Sequence, residues 1–190
     1  VSIDDMSSSN GKFSILANYI FGGNQDEVQI SMTSPVVYQM DTFSTFSFIM
    51  PESWLGKELP KPNNDNIFFD AVKNQYVAVL EFGGYAKQKI CERKHREISQ
   101  VLQNLGIKIN DSYSVAVYQA PYQVLNRKNE IWIDFRHHIP RIDYTDKNWS
   151  AMKGKIVFIG TTFKGSTFVT TPNGLKNTHE IMVSHKELRI

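Results

Sequence analysis

Cysteine is almost absent: Cys91 is the single one among 190 residues. An internal disulfide is thereby excluded, and so is a zinc site built on cysteine pairs. Excess charge of either sign is missing too. Lys and Arg number 21 against 19 Asp and Glu, a formal net charge of +2. A nucleic-acid binder would normally carry a strong basic excess, so no nucleic-acid partner is expected. No apolar run approaches the roughly 18 residues of a membrane span, so a soluble chain without a transmembrane segment is expected. A starting Met and a basic-then-apolar leader are lacking. The chain opens Val1-Ser2-Ile3-Asp4-Asp5, which reads as the end of a strand whose upstream part was processed, deleted or left out. Catalytic signatures are also missing. There is no G-x-S-x-G elbow. His179-Glu180 is followed by His185 rather than by the histidine of a zincin helix. Gly160 to Ser166 mimics a phosphate loop, but its Lys164 precedes Gly165 instead of following it. An enzyme has no residue here to rest on.

What is present is a globular composition, 41% hydrophobic and 21% charged. A chain of this length can bury roughly 70% of its unfolded surface, so its core needs no metal or cross-link. Aromatics make up 12%, with 12 Phe and 8 Tyr. That surplus favours sheet packing or a flat apolar ligand.

Periodicity divides the chain into elements. Ser7, Ser8, Ser9 and Asn10 are candidate helix caps, and Phe13, Leu16, Ala17 and Ile20 follow at i, i+3, i+4 and i+7. With Gly22 and Gly23 as the stop, the spacing predicts a helix over 10–21. Ile15, Tyr19 and Phe21 make its other side apolar as well, so it buries two faces or offers one to a ligand. Strict alternation predicts strands over 27–33, 44–50, 66–72, 75–83, 112–119 and 129–135. Between 87 and 105 the period is helical again, with Gly106 as the stop. Strand-run, helix, strand-run, helix predicts α+β with a mostly antiparallel sheet. Beyond it, the continuous apolar run Ile156 to Ile159 predicts a strand buried on both faces. The segment Thr178 to Ile190 reads as a short amphipathic helix.

Six segments then form a familiar set: "KFSILANYIFGGNQ", "ISMTSPV", "FSFIMPESW", "LPKPNN", "YVAVLEFGGYA" and "NRKNEIWI". Over about residues 2–135 they resemble, in order and spacing, the signature of the SOUL haem-binding family. The resemblance implies a distorted antiparallel barrel with two helices, similar to bacterial effector-binding domains. It implies binding of haem or a related tetrapyrrole, without catalysis. It also implies that the family's opening strands are absent. From about 131 to 175, "WIDFRHHIPRIDYTDKNWSAMKGKIVFIGTT" and "TPNGL" resemble the closing part of CHASE-type extracytoplasmic sensor domains. Two regions follow, 1–135 SOUL-like and 136–190 CHASE-like, with the second packed on the first one's sheet in place of lost strands. A fusion at the "IWIDF" strand would produce such a chain.

A tetrapyrrole needs an apolar slot and a polar or basic rim, with axial ligation optional for binding. The slot falls on the first helix, with Phe13, Leu16, Tyr19 and Ile20 as its wall. Met32 and Met50, each beside a proline turn, are soft side chains within reach of a ligand. Lys12 and Arg127 are rim candidates for propionates. His95, among Arg93, Lys94 and Arg96, reads as part of a solvated basic face. His137 and His138 point oppositely on extended backbone and do not share a metal. The rival reading is a small-molecule sensor or protein-interaction module without haem affinity. Nothing in the pattern sets an oligomeric state or a compartment.

Overall fold

A computed structural model describes residues 11–40, 45–54, 56–70 and 77–134 with their side chains, and the backbone of Tyr76, 156–161, 167–171, 174–177 and 187–189. The first helix, α1, spans Lys12–Ile20. Its N-cap is Gly11 in extended conformation, which offers no side-chain cap. The expected caps Ser7 to Asn10 lie outside the described residues. Its end is glycine chemistry. Gly22 takes φ +102, and the Gly23 N–H donates to the Asn18 carbonyl at 2.8 Å, the six-residue reach that closes an open helix end. A Cβ on Gly23 would stand 2.7 Å from that same carbonyl oxygen, so the chain needs glycine there.

The strand expected over 27–33 is not formed. Only Gln29 pairs, in an isolated bridge to Phe21. The cause is Asn24, whose buried side chain captures the loop. Its Nδ2 donates to the Tyr19 and Val28 carbonyls, and its Oδ1 accepts from the Val28 N–H. Ile30 alone turns inward, its N–H donating to the Ile20 carbonyl at 2.7 Å, while Val28 and Met32 stay exposed. The strand comes later, after the cis Ser34–Pro35 bond, as β1 (Val36–Met40).

The rest follows the expected periods closely. β2 is Thr45–Ile49, β3 Phe68–Asp70, β4 Tyr76–Gly83, α2 Gln88–Asn104, β5 Tyr113–Val117 and β6 Lys128–Asp134. In the tail, β7 (Ile156–Thr161) meets the expected strand, and β8 (Thr167–Thr171) and β9 (Gly174–Asn177) follow it. Glu187–Arg189 forms β10, a strand where a helix was expected. It is extended because both its neighbours, β2 and β3, supply ladder partners for its backbone. The remainder of that expected helix lies outside the described residues.

Five strands in the order β2-β1-β5-β6-β4 make the middle of the sheet. The sheet continues through β10 to β3 on one side and through β7, β8 and β9 on the other, and every pairing is antiparallel. This corrects the expected barrel. Among the described residues no pairing joins β3 to β9, and both flanks of the middle sheet are already occupied by tail strands.

Register decides which face is the core. Val36 and Tyr38 stand opposite Phe48 and Phe46 on one side and Val117 and Val115 on the other. Val115 in turn faces Ile131, which faces Leu80. These apolar residues share one face, and both helices cover it. α1 buries Leu16, Tyr19 and Ile20 with Phe46, Phe48 and Ile67. α2 buries Cys91, Ile98 and Leu102 with Leu80, Val115 and Ile131. Tyr38 packs against both clusters.

Candidate functional site

The first helix shows two different faces. One is the core face just described. The other carries Gly11, Ser14, Ile15 and Asn18, a stripe at helical spacing. Across from it stand Asn63, Asn64 and Ile67, with Gly23 at the end, and between them lies a cleft of ≈ 420 Å³. Ligand clefts commonly run from about 300 to 1,000 Å³. The far wall is sewn to the helix. The Tyr19 hydroxyl donates to the Pro60 carbonyl at 2.8 Å, and the Gln25 N–H donates to the Lys61 carbonyl at 2.9 Å. Asn24 bridges Pro62. Burial pushes the Tyr19 phenol up to about 12, with Asp26 adding to the rise, so its donor proton stays in place at neutral pH. Within the wall, the Asn64 Oδ1 accepts from the Asn66 N–H, and the Asn64 carbonyl accepts from the Ile67 N–H.

The residues expected to bind a ligand fall in different places. Leu16, Tyr19 and Ile20 are 0%, 0% and 1% exposed and belong to the core, so they line no open cleft. Phe13 is half-buried, edge-on to Phe46 and Phe48 with ring centres 6.0 and 5.5 Å away. Met50 is buried in the same cluster. Lys12 is half-buried on α1, next to Gly11 of the cleft. Met32 is 44% exposed, outside that cluster. Arg127 is only 7% exposed, in the β5–β6 connection. Its guanidinium donates to the Ala120, Gln123 and Gln119 carbonyls at 2.8, 2.6 and 3.4 Å and lies 4.4 Å over the Tyr85 ring. A guanidinium so engaged holds its own loop together and is not offered to a propionate.

The cleft residues that sequence reasoning passed over are Ser14, Asn18, Asn63 and Asn64. Their signal was already in the "KFSILANYIFGGNQ" and "LPKPNN" segments, which the fold brings face to face. Tyr38 was also missed. Its hydroxyl is buried with no hydrogen-bond partner among the described residues, and burial raises its pKa strongly. His95, expected on a solvated face, is half-buried and stacked on Tyr113 at 4.1 Å.

On the opposite face of the sheet, Glu130 is 7% exposed. It accepts from the Tyr118 hydroxyl, the Trp132 Nε1–H and the Lys128 ammonium at 2.8, 2.8 and 2.9 Å. Lys128 also reaches Glu81 at 3.3 Å. Burial alone would lower the Lys128 pKa, but Glu130 and Glu81 outweigh it and raise it. Burial raises the Tyr118 pKa, and Glu130 adds to it. This carboxylate is satisfied by three donors and acts as a structural tie. Among the described residues no three His, Cys, Asp or Glu side chains are grouped to hold a metal ion, and no helix is long and apolar enough to cross a membrane.

Two helices on one face of an open antiparallel sheet, with a cleft against the outer side of the first, define an α+β protein. The family model described as "SOUL heme-binding protein" matches residues 1–134, and the chain belongs to that family of binding proteins. The match ends on the last residue of β6. "Heme-binding protein 2" of Mus musculus is 27% identical over 141 residues, covering 70% of this chain and 68% of that protein. "Heme-binding protein 2" of Homo sapiens is 28% identical with the same coverage. "Heme-binding protein 1" of Sus scrofa is 26% identical over 123 residues, covering 60% of this chain and 65% of that protein.

Proposed function

We propose that this chain binds haem, or a related tetrapyrrole, without catalysing a reaction on it, and that the ligand docks against the outer side of α1. The observation that carries the reading is the ≈ 420 Å³ cleft, built from two segments of the family-matched region. Ile15 and Ile67 supply an apolar floor for one edge of a flat ring. Ser14, Asn18, Asn63 and Asn64 supply hydroxyl and amide groups for carboxylates, and Lys12 adds positive charge on the same helix. Among the described residues no His, Met, Cys or Tyr lines the cleft. The expected complex therefore has no axial ligand from the cleft wall.

Haemin titration tests this. A Soret band should develop and saturate. Ile15→Asp, at a half-buried position facing the cleft, should weaken haemin affinity by about tenfold or more with the far-UV spectrum unchanged. Met50→Leu and Arg127→Gln should leave the Soret maximum where it is. Absence of a Soret change, or full affinity in Ile15→Asp, would falsify the reading. A second reading has its own support: four of the eight lining residues carry hydroxyl or amide side chains. That suits a smaller hydrogen-bonding ligand, as in an effector-binding-like sensor or interaction module without haem affinity. The resemblance of residues 131–175 to a CHASE-type closing segment belongs to the same proposal, as does a division at 135 with the tail packed on the sheet.

A further inference from the structure

The connection between β5 and β6, residues 118–127, is built from the inside. Besides the three carbonyls held by Arg127, the Gln119 Oε1 accepts from the Lys128 N–H at 2.6 Å, and the Gln123 N–H donates to the Ala120 carbonyl at 3.1 Å. The hydrogen bonds thus hold the loop backbone from Gln119 to Gln123 from within. The large apolar side chains are left on the outside: Tyr122, Val124 and Leu125 are 87%, 66% and 77% exposed. A fixed tip bearing three neighbouring exposed apolar side chains is a marked interaction surface.

A second segment lies against the base of this tip. Tyr85, 42% exposed, sits under the Arg127 guanidinium, and Asn129 Nδ2 donates to the Gly84 carbonyl at 2.7 Å. Two exposed cations follow in sequence, Lys87 and Lys89. Neither Gly83 to Cys91 nor Tyr118 to Asn129 contains an Asp or Glu. Of the flanking carboxylates, Glu81 and Glu130 are both paired with Lys128, and Glu92 accepts from the Gln88 side-chain amide at 3.0 Å.

We propose that this tip anchors the protein to an anionic lipid surface. Tyr122, Val124 and Leu125 enter the headgroup boundary, and Lys87 and Lys89 meet its negative charge. Charge sign selects the anionic bilayer. Size argues against a second copy or another folded protein, whose stable interfaces take about 800 Å² from each partner. A tip of a few residues offers far less. A fluid interface accepts protruding side chains without needing a complementary shape, and tyrosine is favoured at that depth. The proposal does not depend on the haem reading.

The test is flotation of the full haem-free chain with vesicles of phosphatidylcholine alone or mixed with phosphatidylserine. The chain should float with the mixed vesicles, and added salt should weaken the association. The double variant Tyr122→Ser/Leu125→Ser should lose about tenfold or more in partitioning while keeping its melting temperature. Lys87→Gln/Lys89→Gln should lose the preference for phosphatidylserine. In Val124→Trp, tryptophan emission should shift to the blue on mixing with the anionic vesicles. The proposal is overturned if the chain floats with neither vesicle, as a protein-docking tip would, if it floats equally with both, or if the serine variant floats undiminished.

Discussion

Asn24 concentrates more structure than any other single side chain near the cleft. It is 1% exposed and makes three hydrogen bonds, which fix both the end of α1 and the following loop. Asn24→Ala should cost about 3 kcal/mol, because buried backbone groups lose their partners. Urea unfolding checks it, and a loss under about 0.5 kcal/mol would show that the side chain is no clamp. His95 gives a pH signature. Burial holds its pKa below the ordinary 6.5, with Asp111 opposing and Arg96 adding to the drop. The unfolded chain therefore takes up a proton at higher pH than the folded one. The neutral ring's contribution is complete above about pH 6.5 and is lost as pH falls toward the lowered folded value. His95→Gln should flatten the fall in urea midpoint between about pH 7 and 5. An unchanged slope would place the titrating group elsewhere. Sequence reasoning put His95 in solvent because Arg93, Lys94 and Arg96 surround it. Its actual neighbour, the Tyr113 ring, comes from β5 and leaves no local signal.

Both helices were legible to within one or two residues, because the periods of Leu16 to Ile20 and Ile90 to Leu102 are unbroken and glycines end them. The first strand was not. Val28, Ile30 and Met32 alternate as a strand does, but the pattern cannot show that Asn24 has already claimed the Val28 backbone. Val36–Met40 lies outside every expected strand, directly after Pro35. Proline is equally at home just before one. Arg127 was read as a rim cation because charge is visible in a sequence and a carbonyl cage is not. As the organiser of the β5–β6 connection it has a clear test. Arg127→Lys keeps the charge but loses the fork that reaches several carbonyls at once. Amides of residues 119–126 should then exchange about tenfold faster, while those of α1 stay unchanged. Hydrogen exchange read by mass spectrometry separates the two segments, and equal protection in the variant would remove Arg127 from this role.

At the scale of the whole molecule, the candidate site was legible as a helix but not as a face. The surplus of apolar residues on α1 suggested a ligand wall of Leu16, Tyr19 and Ile20. Packing used that surplus differently: Phe46 and Phe48 from β2, with Leu59 and Ile67, enclose those side chains. The cleft falls to the less apolar side. The tail presents the remaining question of scale. β7 pairs with β4 from Tyr76 to Leu80, and β10 lies between β2 and β3. The proposal that tail and body fold as one unit follows from those ladders. Removing residues 150–190 would leave β2 and β4 as open edges and β3 without its ladder partner. Ladder hydrogen bonds contribute about 1 kcal/mol each, so stability should drop by several kcal/mol. Open edges also invite pairing between chains. The shortened protein should therefore melt lower and elute from size exclusion as oligomers. An independent variant, Ile159→Pro, removes one N–H from the β7 ladder and should move the melting temperature in the same direction by a smaller amount. If the shortened chain is monomeric and melts cooperatively at the temperature of the full one, body and tail are separate folding units.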